Sequence, residues 1–349
     1  MTRSAILVFT LIAVAVLSGT VGAHDAWPPA PVPRTGQTTT LASGDDGQLQ
    51  LGVSFPEPRF VDNGDGTVTD VLTGLIWLKD SACLGWRTWA QAVADANGLN
   101  SGECGLTDGS AEGDWRLPNI RELHSLVHYG YTDPALSNTL GSGPWSEGDP
   151  FMGVENSYYW SSTTDISYHP LAKVVFMSLG EVTVQDKTHQ LPPWPVKGSP
   201  VLGDPGWPPA PVPRTGQYYT EVLGDDGNLL MGAPHPIPRF TDGGDGTVAD
   251  NLTGLRWLKE ANCNGSTMSW TDALAWARGL FDGCVSCGGT GGDCGLSDSS
   301  SPGDWRLPNL RELHSLINFD FAGPAIPNTH GGYQWSEGDP FADLQSVHY

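Results

Sequence analysis

The chain has 349 residues and carries 17 Lys+Arg against 39 Asp+Glu, a formal net charge of −22. That excess repels polyanions at long range, which argues against nucleic acid or an anionic membrane surface as the main partner. The length suffices for two domains of ordinary size, and 14 Trp with 45 Gly and 28 Pro point to many turns around aromatic-anchored cores.

At the N-terminus, Arg3 supplies a positive charge, Ile6 to Leu17 an apolar run, and Val21-Gly22-Ala23 the small residues that a signal peptidase reads. Residues 1–23 are therefore expected to be a signal peptide. The apolar run falls short of the roughly 20 residues that span a bilayer. No Cys follows it to carry a lipid, and no later segment is expected to cross a membrane. The expected location is periplasmic or extracellular.

Residues 24–58 read as a Pro-rich arm and linker, extended and without helical or strand periodicity. Gly44-Asp-Asp-Gly47 and Gly64-Asp-Gly66 read as turns. The second turn joins Phe60-Val61 to Thr67-Val68-Thr69 as a hairpin, and Leu75-Ile-Trp-Leu78 follows as a buried strand. Thr88-Trp-Ala-Gln91 opens a helix with a capping box, and Trp89, Ala92, Val93, Ala96 and Leu99 recur on one face. A second helix starts at Asn119, with Glu122 at the box position and Ile120, Leu123 and Leu126 pointing inward. Tyr158 to Thr163 and Lys173 to Met177 have strand composition, and Trp194-Pro-Val-Lys197 closes the unit.

The pattern then repeats. Trp27 to Gln37 recurs unchanged at Trp207 to Gln217, and Asp62 to Asp70 answers Asp242 to Asp250 at the same offset of 180. The offset grows to 190 where Gly113-Asp-Trp-Arg-Leu-Pro-Asn119 meets Gly303 to Asn309, and it stays there for Arg121 to Leu126 and Trp145 to Phe151. Two long copies mean tandem domains, not a solenoid. The expected domains are 59–198 and 239–349, with a Pro-rich linker over 199–238. Tyr349 aligns with Tyr159, so the second copy is expected to be incomplete at its C-terminus, either cut short or genuinely truncated.

Six cysteines in an exported chain read first as disulfides. Cys83 and Cys104 are the only two in the first half, and Cys263 and Cys294 occupy the matching places. Cys284 and Cys287 lie in the second copy's insertion, where a local staple competes with a redox pair. The glycine-rich setting, without a βαβ pattern, favours the staple.

Taken together, Pro58-Arg-Phe60, Gly64-Asp-Gly-Thr-Val68, Asp70, Leu72-Thr-Gly-Leu75, Trp77, Trp89, Asp114-Trp-Arg-Leu-Pro-Asn119, Glu122-Leu123 and Tyr159-Trp-Ser-Ser-Thr163 resemble the Lcl C-terminal domain family. That family is named for a bacterial collagen-like surface adhesin. The Trp89 helix and the Arg-Leu-Pro helix start also resemble the core of C-type-lectin-like folds, including the formylglycine-generating enzymes. The resemblance implies an α+β fold: tandem disulfide-stapled domains, each with two helices packed on a twisted, mainly antiparallel sheet. It also implies surface recognition.

Candidate sites carry competing readings. Asp62, Asp65 and Asp70 could converge on calcium, since hard cations need several oxygens on a tight loop, or could simply build the hairpin turn. Asp114-Trp115-Arg116 is read as orienting a helix start and filling the core rather than binding a ligand. Trp145, Glu147 and Asp149, with Ser161 and Asp165, place polar groups beside aromatics on loops or strand ends; Trp335, Glu337 and Asp339 are their second-copy equivalents. They are the expected ligand contacts, against an equal reading as turn and strand residues of a packed sheet. His124 and His314 sit singly on helices without metal-ligand spacing and are read as surface or packing residues. No catalytic constellation or cofactor is expected, calcium aside. The expected function is non-catalytic ligand binding or adhesion through paired domains, to a glycan or an envelope protein. The alternatives are a structural envelope protein and, less favoured, a formylglycine-generating type of enzyme.

Overall fold

In a computed structural model of the protein, residues 14–15, 29–198, 208–284 and 294–345 are described. Chain order begins with β1 (Val14–Ala15) and with a single helical turn, α1 (Asp46–Leu49), inside the first arm. That turn lies in the Gly44-Asp-Asp-Gly47 stretch expected to be a simple turn in an otherwise extended arm. The Asp45 carboxylate accepts from Gln48 N at 2.8 Å, Leu41 N at 2.6 Å and Ala42 N at 2.9 Å, which organises the helix start. Gly47 is required there, because a Cβ would stand 2.0 Å from Thr39 O.

In the first unit, β2 (Phe60–Asp62), β3 (Thr67–Asp70) and β4 (Ile76–Leu78) form an antiparallel meander. Gly64 and Gly66 take positive φ in its first turn, and a Cβ on Gly66 would meet Gly105 O at 2.5 Å. Helix α2 (Trp89–Gly98) buries Trp89, Ala92, Val93 and Ala96, the face given by its apolar spacing. Gln91 Oε1 accepts from Thr88 N at 3.1 Å in the expected box. Helix α3 (Ile120–Ser125) starts at Asn119, whose Oδ1 accepts from Glu122 N at 3.0 Å while Glu122 Oε2 accepts from Asn119 N at 2.9 Å.

A second sheet follows: β5 (Tyr158–Thr164), β6 (Leu171–Phe176) and β7 (Glu181–Asp186), all antiparallel. The unit thus has two small sheets where one was expected. The closing strand β8 (Val196–Lys197) returns to the first sheet, pairing Val196 with Trp77 and giving the order β2-β3-β4-β8. The main core gathers Phe60, Trp77, Trp115, Phe151, Tyr159 and Trp194. Trp194 lies edge-on to Trp77 at 5.9 Å and donates Nε1–H to Leu78 O at 2.9 Å. A second core lies between α2 and β5, where Trp89 donates to Ser161 O and Trp160 to Arg87 O, both at 2.8 Å.

The second arm repeats the helical turn as α4 (Asp226–Leu229), and the second unit repeats the meander as β9 (Phe240–Asp242), β10 (Thr247–Asp250) and β11 (Arg256–Leu258). Helix α5 (Trp270–Arg278), β12 (Trp305–Arg306) and α6 (Leu310–Leu316) follow. The place that β8 takes beside Trp77 and Arg116 is taken here by β1. Val14 faces Trp257 and Arg306, and Ala15 faces Arg256. Residues read as part of a signal peptide therefore lie inside the second unit's sheet. Among the described residues, nothing in the second unit corresponds to the sheet β5-β6-β7.

Each arm crosses to the other unit. Ala30 N donates to Leu252 O and Ala210 N to Leu72 O, both at 2.9 Å and at equivalent positions. Farther along, Arg278 Nη1 donates to Ser43 Oγ at 2.7 Å, and Asn119 Nδ2 to Met231 O at 3.2 Å. Reciprocity of this kind is the signature of a two-fold, isologous interface, here built within one chain.

Candidate functional site

The residues expected to contact a ligand separate into two groups. The loop holding Trp145, Glu147 and Asp149 is solvent-facing: Glu147 is exposed, and Trp145 and Asp149 are half-buried. Its polar atoms nevertheless stabilise the loop itself. Trp145 Nε1 donates to Phe151 O at 3.2 Å, Glu147 Oε1 accepts from Gly153 N at 3.0 Å, and Asp149 Oδ1 accepts from Thr139 N at 3.0 Å. The second unit copies each contact: Trp335 to Phe341 O at 2.9 Å, Glu337 from Asp343 N at 2.9 Å, and Asp339 from Thr329 N at 3.0 Å. Ser161 and Asp165 are placed differently. Ser161 is fully buried and donates to Lys173 O at 2.7 Å; Asp165 is buried against Lys173 Nζ at 2.5 Å and ties down Ser167 N and Tyr168 N. Ser161 and Asp165 thus hold β5 to β6 and brace the turn that joins them.

Asp62, Asp65 and Asp70 face three different partners. Asp62 binds Lys79 Nζ at 2.6 Å, and that hydrogen bond holds its pKa below the usual carboxylate value. Asp65 accepts from Thr67 N at 3.0 Å and Thr67 Oγ1 at 2.6 Å. Asp70 is fully buried, 3.5 Å from the Arg59 guanidinium, and accepts from Leu72 N. Among the described residues no three His, Cys, Asp or Glu side chains gather as a metal site.

The Asp114-Trp115-Arg116 cluster is architectural. Trp115 is buried and donates to Ser110 Oγ at 3.0 Å, and Asp114 accepts from Ala111 N at 2.8 Å. Arg116 grips Glu122 with two hydrogen bonds of 2.6 and 2.7 Å, fixing the carboxylate that caps α3. Arg306 and Glu312 repeat the pair at 2.7 and 2.5 Å. Disulfides join Cys83 to Cys104 and Cys263 to Cys294, with Cα atoms 5.6 and 5.2 Å apart. Cys284 is disulfide-bonded too, but its expected pairing with Cys287 lies outside the described residues.

Two features escaped the sequence reading. The first is Trp86, 48% exposed, with Nε1 3.4 Å from Glu155 Oε1. Composition hid it among 14 tryptophans, and the second copy has Ser266 at its place. The second lies on the axis relating the two units. His124 and His314, expected to sit singly, face each other with ring centroids 5.0 Å apart. One turn away, Arg121 donates Nη2–H to Ile317 O and Arg311 donates Nη2–H to Val127 O, so each guanidinium caps the C-terminal end of the opposite helix. The shared face was legible as Arg and His three apart in both copies; the facing of the copies was not.

A pocket of about 80 Å³ opens on this axis, walled by α3 and α6 and roofed by Ala30–Pro33 and Ala210–Pro213 of the two arms. Burial pushes the Arg121 guanidinium down to about 9 and that of Arg311 to about 10. Burial, followed by the nearby guanidinium charges, lowers the His314 pKa to about 4; burial and then the His314 ring hold that of His124 well below its ordinary value. Both imidazoles are therefore neutral at pH 7, leaving the two arginines as the positive charges of the pocket.

Residues 66–197 and 246–347 match the model of the Lcl C-terminal domain family. No curated protein and no solved structure matches the chain.

Proposed function

We propose, from the premise that the chain belongs to the Lcl C-terminal domain family in two tandem copies, that it is an exported, non-catalytic binding protein holding a repeated glycan or cell-envelope partner with both units. The observation that carries this reading is the reciprocal docking of the units. The Trp145 and Trp335 loops occur in like environments and in a fixed mutual geometry, so a second contact costs little further ordering. The disulfides support export, since such bonds persist in oxidising compartments. The bonded state of Cys83 and Cys104 favours binding over thiol chemistry. The finer likeness to C-type-lectin-like domains belongs to the same proposal. It is supported by β2 and β8, which bring the start and end of the first unit into one sheet.

Within the first unit, the exposed Trp86 and Glu147 and the half-buried Glu155 form the contact surface of this proposal. An exposed indole beside carboxylates suits the apolar face and hydroxyl groups of a sugar. The whole chain, applied to glycan arrays at two surface densities, is expected to bind saturably and at least tenfold more tightly at high density. Trp86→Ala should weaken binding at low density without changing the melting temperature. Silence across the array would favour a purely structural role in the envelope.

A further inference from the structure

We propose that the second unit is a strand acceptor: the seat between Trp257 and Arg306 takes an extended segment of a separate polypeptide that carries an aromatic residue, Pro, an aliphatic residue and Lys in that order. The first unit shows what such a seat requires. There Val196 exchanges two backbone hydrogen bonds of 3.0 Å with Arg116, and Leu78 N donates to Pro195 O at 3.0 Å. Trp194 packs edge-on to Trp77 and Phe151, with ring centroids 5.9 and 4.9 Å apart. Lys197 ends the strand, its Nζ donating to Asp108 Oδ2 and standing 5.0 Å from the centroid of the Trp115 ring. Asp108 Oδ1 is occupied separately, by Ser110 N at 3.2 Å and Ser110 Oγ at 2.8 Å.

The second unit reproduces the fixed side of that seat. Asp298 Oδ1 accepts from Ser300 N at 3.2 Å and Ser300 Oγ at 2.6 Å. Trp305 Nε1 donates to Ser300 Oγ at 3.1 Å, as Trp115 does to Ser110 Oγ at 3.0 Å. Trp257 and Phe341 stand in its core where Trp77 and Phe151 stand in the first. What is missing is the cation. Asp298 Oδ2 is buried and has no hydrogen-bond partner among the described residues, whereas the same oxygen of Asp108 holds Lys197. The backbone register accounts for the difference. β1 sets Val14 opposite Trp257 where β8 sets Val196 opposite Trp77, so Ala15 falls at the position of Lys197, and alanine brings no ammonium group. A carboxylate oxygen buried without a partner is costly; a Lys arriving on a paired strand neutralises it and gains a charge-assisted hydrogen bond. β1 thus completes the ladder and leaves the carboxylate unanswered. It also lies in the stretch expected to leave on export, which vacates the seat. Strand addition supplies affinity through the backbone, and the Lys contact supplies selectivity. The chain's formal charge of −22 favours a basic segment at long range.

The test uses the whole chain and, as probe, a fluorescent N-acetylated peptide with the sequence of Leu191 to Gly198, whose Lys is its only amine. Binding followed by anisotropy should be saturable, and at least roughly tenfold weaker for the same peptide with Ala in place of Lys. Val14→Pro removes a backbone donor from β1 and should tighten binding of the Lys peptide, which then displaces a weaker occupant. Asp298→Asn keeps an oxygen for Ser300 and should cancel the preference for Lys. Carbodiimide coupling, mapped by mass spectrometry, should join the peptide Lys to Asp298. Equal affinity for the two peptides, coupling to another carboxylate, or no saturable binding to either the wild-type or the Val14→Pro chain would overturn the proposal. A chain dimer that the peptide dissociates would give the seat to a second copy and overturn it equally. The two peptides compared on the wild-type chain decide the matter even if a variant fails to fold.

Discussion

The two units share their meander, their helix caps and their docking face, yet they complete themselves differently. In the first, β8 fills the place between Trp77 and Arg116 and the sheet β5-β6-β7 covers α2. In the second, β1 fills the equivalent place between Trp257 and Arg306. Beside α5, a cavity of about 290 Å³ opens among Trp270, Leu274, Leu310 and the first arm. A ladder of backbone hydrogen bonds reads no side chains, so a sheet edge accepts whichever extended segment arrives in register. The seat is defined by the strands that flank it; the occupant can come from more than 240 residues away in the sequence, and cleavage after Ala23 on export would leave the second unit's seat open.

The largest expected effect tests whether the shared parts are energetically equal. Arg116→Ala leaves the buried Glu122 carboxylate unpaired, and Arg306→Ala does the same to Glu312; each should cost about 3–5 kcal/mol in its own unit. Chemical denaturation followed by unit-specific tryptophan signals should give losses matching to within about 1 kcal/mol. A much smaller loss for Arg306 would mean that the second unit's framework is looser than its hydrogen bonds suggest.

A second comparison uses pH. Asp226 is enclosed by Thr163 of β5 and Thr215 of its own arm, each donating at 2.7 Å, and burial raises its pKa to about 7. Asp46, its equivalent, meets Thr35 alone; its pKa is also raised, with burial the first cause. A carboxyl whose folded pKa exceeds its unfolded value of 3.8 holds its proton more tightly in the folded chain. Its contribution is therefore most favourable below pH 4 and declines as pH rises towards 7. Asp226→Asn should remove that decline, stabilising the first unit at pH 8 relative to wild type by roughly 2–4 kcal/mol. Asp46→Asn should do less, and equal effects would deny β5 its part in the enclosure.

The smallest effect concerns the borrowed strand. A chain beginning at His24 lacks Val14–Ala15, so its second unit should melt earlier, by about 1–2 kcal/mol for the few backbone hydrogen bonds lost. The first unit should be unaffected. A peptide spanning Leu191 to Gly198, the closing segment of the first unit, should restore the difference if the two seats are equivalent.

What the sequence disclosed was local. The Asp-Gly hairpin, the apolar stripe of α2 and both capping boxes depend on residues within a few positions of one another, so their signals survive in the letters. Strand β7 was not among the expected strands, its local mark being only Val182 and Val184 two residues apart. The helical turns α1 and α4 were misread because Asp45 and Asp225 act through backbone groups on both sides of a Gly-bounded stretch. Ser161 and Asp165 have the composition of a recognition loop, and only the pairing of β5 with β6 shows that their polar atoms are already used. The axial pocket was least accessible, since Arg121 meets a carbonyl 196 residues away.

The crossed arms separate the unit that is repeated from the unit that is stable. A protease that cut between residues 198 and 208 would release two polypeptides, each still carrying the strap that lies on the other's surface. They would remain together as a heterodimer. Exchanging one repeat for a relative's would likewise succeed only if the foreign strap fitted the resident neighbour. Heredity copies this molecule in halves, whereas its folding follows a different partition.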